Sequence, residues 1–208
     1  MENTYYKNYF YSISRGLETI QYLISQKEVG PSFFYKSIRK ELDLLRNSNG
    51  KIYFFGNGAS AAFANHMALD FAKNGRLVSR SLSDSAFLTA LANDFSYEQA
   101  MVEYLKVDCV NKNDLIVTIS SSGNSANIIN VLNYCKENNL RSLALSGLKM
   151  HNKSTKIADY SLYVPMKTYG MVECLHQVVL HLILDEYMGI EEWSRNDYQD
   201  MNYLNLKY

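Results

Sequence analysis

Four serines and a glycine fall within six consecutive positions, Ser120-Ser121-Ser122-Gly123-Asn124-Ser125, directly after the apolar run Leu115-Ile116-Val117-Thr118-Ile119. Such a run reads as a buried strand, and Ala126 to Glu137 reads as a helix, so the serines occupy a strand-to-helix turn. The start of a helix exposes unpaired backbone N–H groups and a partial positive charge, which suits an anion such as phosphate. Serine hydroxyls add donors, and Gly123 lets the backbone approach closely. No Lys or Arg lies inside the loop, so binding would rest on neutral donors and the helix end. A serine-capped turn with no ligand would use the same residues. The spacing GxxxxGK[ST] is absent, which argues against a nucleoside triphosphate loop.

A second turn, Gly56-Asn57-Gly58-Ala59-Ser60, follows the apolar run Lys51 to Phe55. It lacks the GxGxxG spacing of a dinucleotide fold, because position 61 is Ala. Asn57 and Ser60 are candidates to hydrogen-bond sugar hydroxyls, although an ordinary turn would look alike.

Acid–base chemistry needs imidazoles and carboxylates. His66 and Asp70 stand at i and i+4, on one face of the helix expected after that turn. Glu173 and His181 lie eight apart on the long apolar helix Met171 to Met188, again roughly on one face. Two His and two carboxylates together would hold zinc or another first-row metal, or would supply acid and base groups directly. Hydrogen-bonded surface or interface couples have the same spacing. His176 lies about 140° around the helix from His181 and reads as a packing residue.

The elements that must position these residues alternate. Two helical patterns open the chain: 4 to 26, broken by Gly30-Pro31, and a second from Pro31 to Asn47. No strand signal precedes Lys51. Strands are expected at Lys51–Phe55, Arg76–Val78, Leu115–Ile119, Arg141–Leu145 and Tyr160–Val164. Helices are expected at Ala59–Lys73, Asp84–Ala92, Ala126–Glu137 and Met171–Met188. Strands alternating with helices imply parallel crossovers, and hence an α/β fold: a three-layer αβα sandwich with a mostly parallel sheet, preceded by two N-terminal helices. Ligands in such sheets bind at the carboxyl ends of the strands, where both turns fall. The expected organisation is one domain over 1–208: N-terminal helices at 1–49, the α/β core at 50–190 and a peripheral tail at 191–208.

The 208 residues are 47% hydrophobic and 20% charged, an ordinary globular balance. Lys+Arg and Asp+Glu both number 21, so nothing points to a nucleic-acid face or a membrane anchor. There is no secretory leader pattern and no apolar run of spanning length. Cys109, Cys135 and Cys174 are scattered, with no CxxC pair, and read as thiols in a cytoplasmic chain.

Several segments occur in a telling order: Gly56 to Ser60, His66 ten residues after Gly56, Asn93-Asp94-Phe95, the Ile119 to Ser125 loop, and the terminal Glu173…His181 helix. Together they resemble the phosphoheptose isomerases of the sugar isomerase (SIS) domain superfamily, over about residues 4 to 190. The resemblance implies a homotetramer with active sites between subunits and a small-molecule sugar phosphate as ligand. It maps phosphate binding onto Ser120, Ser121, Ser122 and Ser125. Asn57, Ser60, Asn93, Asp94 and Glu173 become further substrate contacts, and Asp70 with His181 the catalytic pair. His66, Asp70, Glu173 and His181 become ligands for Zn²⁺ or another divalent metal. The implied reaction interconverts sedoheptulose 7-phosphate and D-glycero-D-manno-heptose 7-phosphate through an enediol, feeding heptose synthesis for lipopolysaccharide or capsule.

The chain departs from the family pattern in places. Asp70 stands where Glu is usual, and Glu173 where Gln is usual. Gly170 and Met171 replace a common Asp–Arg pair, and Asn74 replaces an Arg. Two other functions carry the same loop: a non-catalytic SIS module that binds a sugar phosphate or regulates a protein partner, and an isomerase for a different sugar phosphate.

Overall fold

The computed structural model describes residues 4–194. The expected peripheral tail therefore falls largely outside the described residues. In chain order the elements are α1 (Tyr5–Glu18), β1 (Gln21–Ile24), β2 (Lys27–Val29), α2 (Pro31–Asn47), β3 (Lys51–Gly56), α3 (Ala59–Lys73), β4 (Val78–Ser81), α4 (Ser85–Asp94) and α5 (Ala100–Val107). They continue with β5 (Leu115–Ser120), α6 (Ala126–Glu137), β6 (Arg141–Gly147), α7 (Lys153–Ile157), β7 (Tyr160–Val164) and α8 (Tyr169–Met188).

One sheet orders the strands β2-β1-β7-β6-β5-β3-β4. The five strands from β7 to β4 are parallel. Their side chains alternate between two cores, as strands buried on both faces require. In β3, Ile52 and Phe54 join the apolar cluster under α1, α2, α3 and α8, while Tyr53 and Phe55 join the cluster under α4 to α7. β5 divides in the same way, with Val117 on the first face and Ile116 on the second. The three-layer αβα expectation holds, with the two N-terminal helices in place.

The reading of 4 to 26 as one helix is corrected. α1 stops at Glu18, and β1 and β2 form an antiparallel hairpin that docks on β7. Gln21 to Ile24 pair with Tyr160 to Tyr163, so the sheet captures a segment whose apolar spacing looked helical. The hairpin turns at Ser25 and Gln26, both with positive φ (48° and 68°), the geometry of a two-residue hairpin turn. The fourth strand also lies later than expected, at Val78–Ser81 rather than 76–78. Short helices α5 and α7 were not anticipated.

In the order β6-β5-β3-β4 the succession of parallel strands reverses between β3 and β5: α3 carries the chain to β4 on one side, while β5, β6 and β7 build out to the other. Adjacent strands at such a switch point send their loops apart and leave a crevice at their carboxyl ends.

Candidate functional site

That crevice is lined by Asn57 and Ser60 from the turn after β3, Ile119 to Ser122 and Ser125 from the turn after β5, and Tyr169 and Glu173 from the first turns of α8. Two helices begin there. Ser125 is the N-cap residue of α6 but makes no side-chain cap, and Gly58 at the start of α3 offers none. The hydroxyl of Ser125 instead lies 3.4 Å from Ser120 Oγ. The serine-capped-turn alternative therefore loses its defining bond at Ser125. Ser121 Oγ is buried and has no hydrogen-bond partner among the described residues. A buried hydroxyl without a partner is costly unless a ligand supplies one.

The loop is braced from behind. Gly147 N–H donates to Ser121 O at 3.0 Å, and Ser154 donates to Gly123 O through both its amide (3.0 Å) and its hydroxyl (2.9 Å). Lys153 N–H donates to Asn124 Oδ1 at 3.0 Å. Gly123 has φ +62°, and a Cβ there would overlap the Asn152 amide, so only glycine lets the loop lie this close to α7. The crevice wall contains no Lys or Arg. Neutral donors face the ligand position, with one carboxylate, Glu173, beside them.

His66, Asp70 and His181 meet elsewhere. Their candidate ligand atoms all lie within 4.8 Å of one another. His66 Nε2 is 3.2 Å from Asp70 Oδ2, and the His66 and His181 rings stand edge to face with centroids 5.4 Å apart. The side-chain amide of Gln177 donates to His181 Nε2 at 2.9 Å. The cluster is open to solvent, with the His66 side chain 48% exposed. Two imidazoles and a carboxylate at one point are chemically suited to zinc or another first-row divalent ion, so the residues present fit such a group.

Glu173 is not part of this cluster. Eight residues of helix separate it from His181 by about 12 Å along the axis, so a single chain does not gather the expected set of His66, Asp70, Glu173 and His181 at one point. Ser60 and His66 are about 9 Å apart along α3 by the same rise. One chain thus carries two half-sites on packed helices, a donor-lined crevice and an acid–base cluster two turns away.

Asn93 and Asp94 lie in the last turn of α4, exposed, with Asn93 Nδ2 donating to Asp94 Oδ1 at 3.0 Å. They do not line the crevice. Tyr97, behind the lining residue Asn57, donates its hydroxyl to Asn57 Oδ1 at 2.8 Å. Neither Tyr97 nor Asn127, Tyr169 and Gln177 was anticipated from sequence; only Asn127, two positions after the serine loop, carried a positional hint. His176 packs as expected: it is wholly buried, its Nε2 is 3.1 Å from Ser146 O, and burial holds its pKa down at about 4.

The SIS domain family matches residues 37–147. A phosphoheptose isomerase of Aneurinibacillus thermoaerophilus is 35% identical over 150 residues, covering 69% of this chain and 74% of that protein. One from Helicobacter pylori (strain P12) is 29% identical over 180 residues, covering 84% and 87%. Among solved structures, phosphoheptose isomerase from Neisseria gonorrhoeae superimposes with a TM-score of 0.71 at 25% identity, covering 88% of this chain and 97% of that one. The phosphoheptose isomerase from Francisella tularensis gives 0.75 at 20% identity, covering 90% and 98%, a likeness of fold.

Proposed function

Because the chain belongs to the phosphoheptose isomerases of the SIS domain family, a line of sugar-phosphate isomerases, we propose that it converts sedoheptulose 7-phosphate to D-glycero-D-manno-heptose 7-phosphate in the cytoplasm. One observation carries the reading: a crevice lined by Asn57, Ser60, Ser120, Ser121, Ser122 and Ser125 at a switch point of the sheet, with the buried Ser121 hydroxyl left without a partner among the described residues. Serine hydroxyls and main-chain amides hold the phosphate there, and the helix ends offset its charge. Glu173 accepts from sugar hydroxyls.

Ketose–aldose conversion moves a proton between C1 and C2. Asp70 takes the proton from one carbon and returns a proton to the other, and His66, 3.2 Å from it, orients the carboxylate. His181 exchanges a proton with the adjacent oxygen, its ring steered by Gln177. His66, Asp70 and His181 are the residues that would hold a divalent ion, which when bound supplies Lewis-acid polarisation of a carbonyl.

The gap between the half-sites within one chain favours assembly of the working site from two subunits of a homotetramer. The exposed cluster of one protomer then faces the crevice of another, and a partner's Glu173 approaches it. Incubating purified, metal-analysed protein with sedoheptulose 7-phosphate and following the aldose by NMR tests the proposal. Turnover supports it; none with zinc, manganese, iron or cobalt overturns it.

A further inference from the structure

The carboxamide of Asn57, at the wall of the crevice, is held by three hydrogen bonds that decide which end the ligand meets. Its Oδ1 accepts from Asn127 Nδ2 at 2.8 Å and from Tyr97 OH at 2.8 Å, which uses both lone pairs. Its Nδ2 donates one hydrogen to Asn127 Oδ1 at 2.9 Å. The other hydrogen has no partner among the described residues, and it points away from Asn127 because the first lies in the paired face of the two amides.

Asn127 in turn cannot rotate. Its Oδ1 also accepts from the backbone N–H of Ile128 at 3.0 Å, and an amide turned the other way would set NH₂ against N–H. Asn127 is 3% exposed, on the first turn of α6. A fixed backbone donor therefore sets Asn127, and Asn127 sets Asn57. We propose that Asn127, with Tyr97, is a positioning residue that locks Asn57 with its N–H toward the ligand, so that this wall accepts only an oxygen acting as acceptor, such as a phosphate or ester oxygen.

This rests on the crevice being the phosphate site. Replacement by Asn127→Asp keeps the Ile128 bond but puts a second oxygen 2.8 Å from Asn57 Oδ1, so neither orientation of Asn57 satisfies both contacts. Tyr97→Phe, at an exposed ring, removes one lock without touching the core.

The experiment measures KM and kcat for sedoheptulose 7-phosphate, the inhibition constant of inorganic phosphate, and thermal stability of the full chain. Asn127→Asp is expected to raise KM and the phosphate constant about tenfold to hundredfold, with kcat changed less than about threefold, because a bond to a charged acceptor is lost. Tyr97→Phe is expected to raise both about two- to fivefold at unchanged melting temperature. A folded Asn127→Asp with wild-type KM overturns the proposal. Should that variant fail to fold, Tyr97→Phe decides it: unchanged KM and phosphate constant overturn it, and a rise at constant kcat supports it. Ser121→Ala separates the two claims. If it leaves phosphate inhibition unchanged, the phosphate site itself is misassigned. If it weakens phosphate while the Asn127 and Tyr97 variants do not, only the positioning role falls.

Discussion

The imidazoles of His66 and His181 meet edge to face at 5.4 Å although they stand on different helices, and Asp70 closes the group from one turn beyond His66. Packing of α3 on α8 fixes this meeting. The chemistry assigned to it is separable from ligand binding, because the crevice residues Ser60 and Glu173 lie about 9 and 12 Å away along those helices from His66 and His181.

Asp70→Asn and His181→Asn should therefore lower kcat about 100- to 10,000-fold while inorganic phosphate still binds as in the wild type. Steady-state rates beside phosphate titrations check both halves. A parallel loss of phosphate affinity would place the cluster in the binding site instead.

Ser121→Ala should raise KM about tenfold, the worth of one hydrogen bond to an anionic oxygen. Its stability should hold or rise slightly, since the hydroxyl removed is buried and unpartnered. A denaturant titration beside the kinetics reads both. Lost stability with intact KM would mean that the hydroxyl serves the fold.

Glu173→Gln should tighten inorganic phosphate several-fold. The crevice wall carries one carboxylate and no Lys or Arg, so removing that charge relieves repulsion that nothing in the wall offsets. The gain should shrink as salt is raised. Unchanged or weaker phosphate binding would show Glu173 directed away from the anion.

His176 should make the fold acid-sensitive. Burial lowers its pKa from 6.5 to about 4, opposed by the bond to Ser146 O. Between those values the unfolded chain binds the extra proton, so this contribution to stability is full above about pH 6.5 and is lost as pH falls toward 4. The loss reaches about 2 kcal/mol by pH 5. Urea unfolding at pH 7 and 5 of wild type and His176→Gln reads it as a smaller pH dependence in the variant. Equal dependence would assign the acid sensitivity to other groups.

Much of this was legible in the chain itself because the parallel strands are short apolar runs flanked by turn residues, and the serine loop follows its strand without a gap. The β1–β2 hairpin was hidden for a physical reason. Its turn residues are Ser25 and Gln26 rather than Asn-Gly, and Ile13, Leu17, Ile20 and Leu23 carry helical spacing straight across the break at Glu18. β7 supplies the pairing that overrides that spacing. At the site, the i, i+4 couple of His66 and Asp70 was readable, whereas the lock of Asn127 on Asn57 joins residues 70 positions apart and has no local signature. Glu173 and His181 share a helix face but lie two turns apart, so within one chain Glu173 does not join His66, Asp70 and His181.

Isotope exchange shows whether this cluster moves a proton. Sedoheptulose 7-phosphate is turned over in deuterium oxide, and the aldose is analysed by NMR. Deuterium is expected at carbon 2 of the product, with loss of both product and label in Asp70→Asn. Undiminished aldose formation by Asp70→Asn would mean that this cluster does not move the proton, and would contradict that expectation.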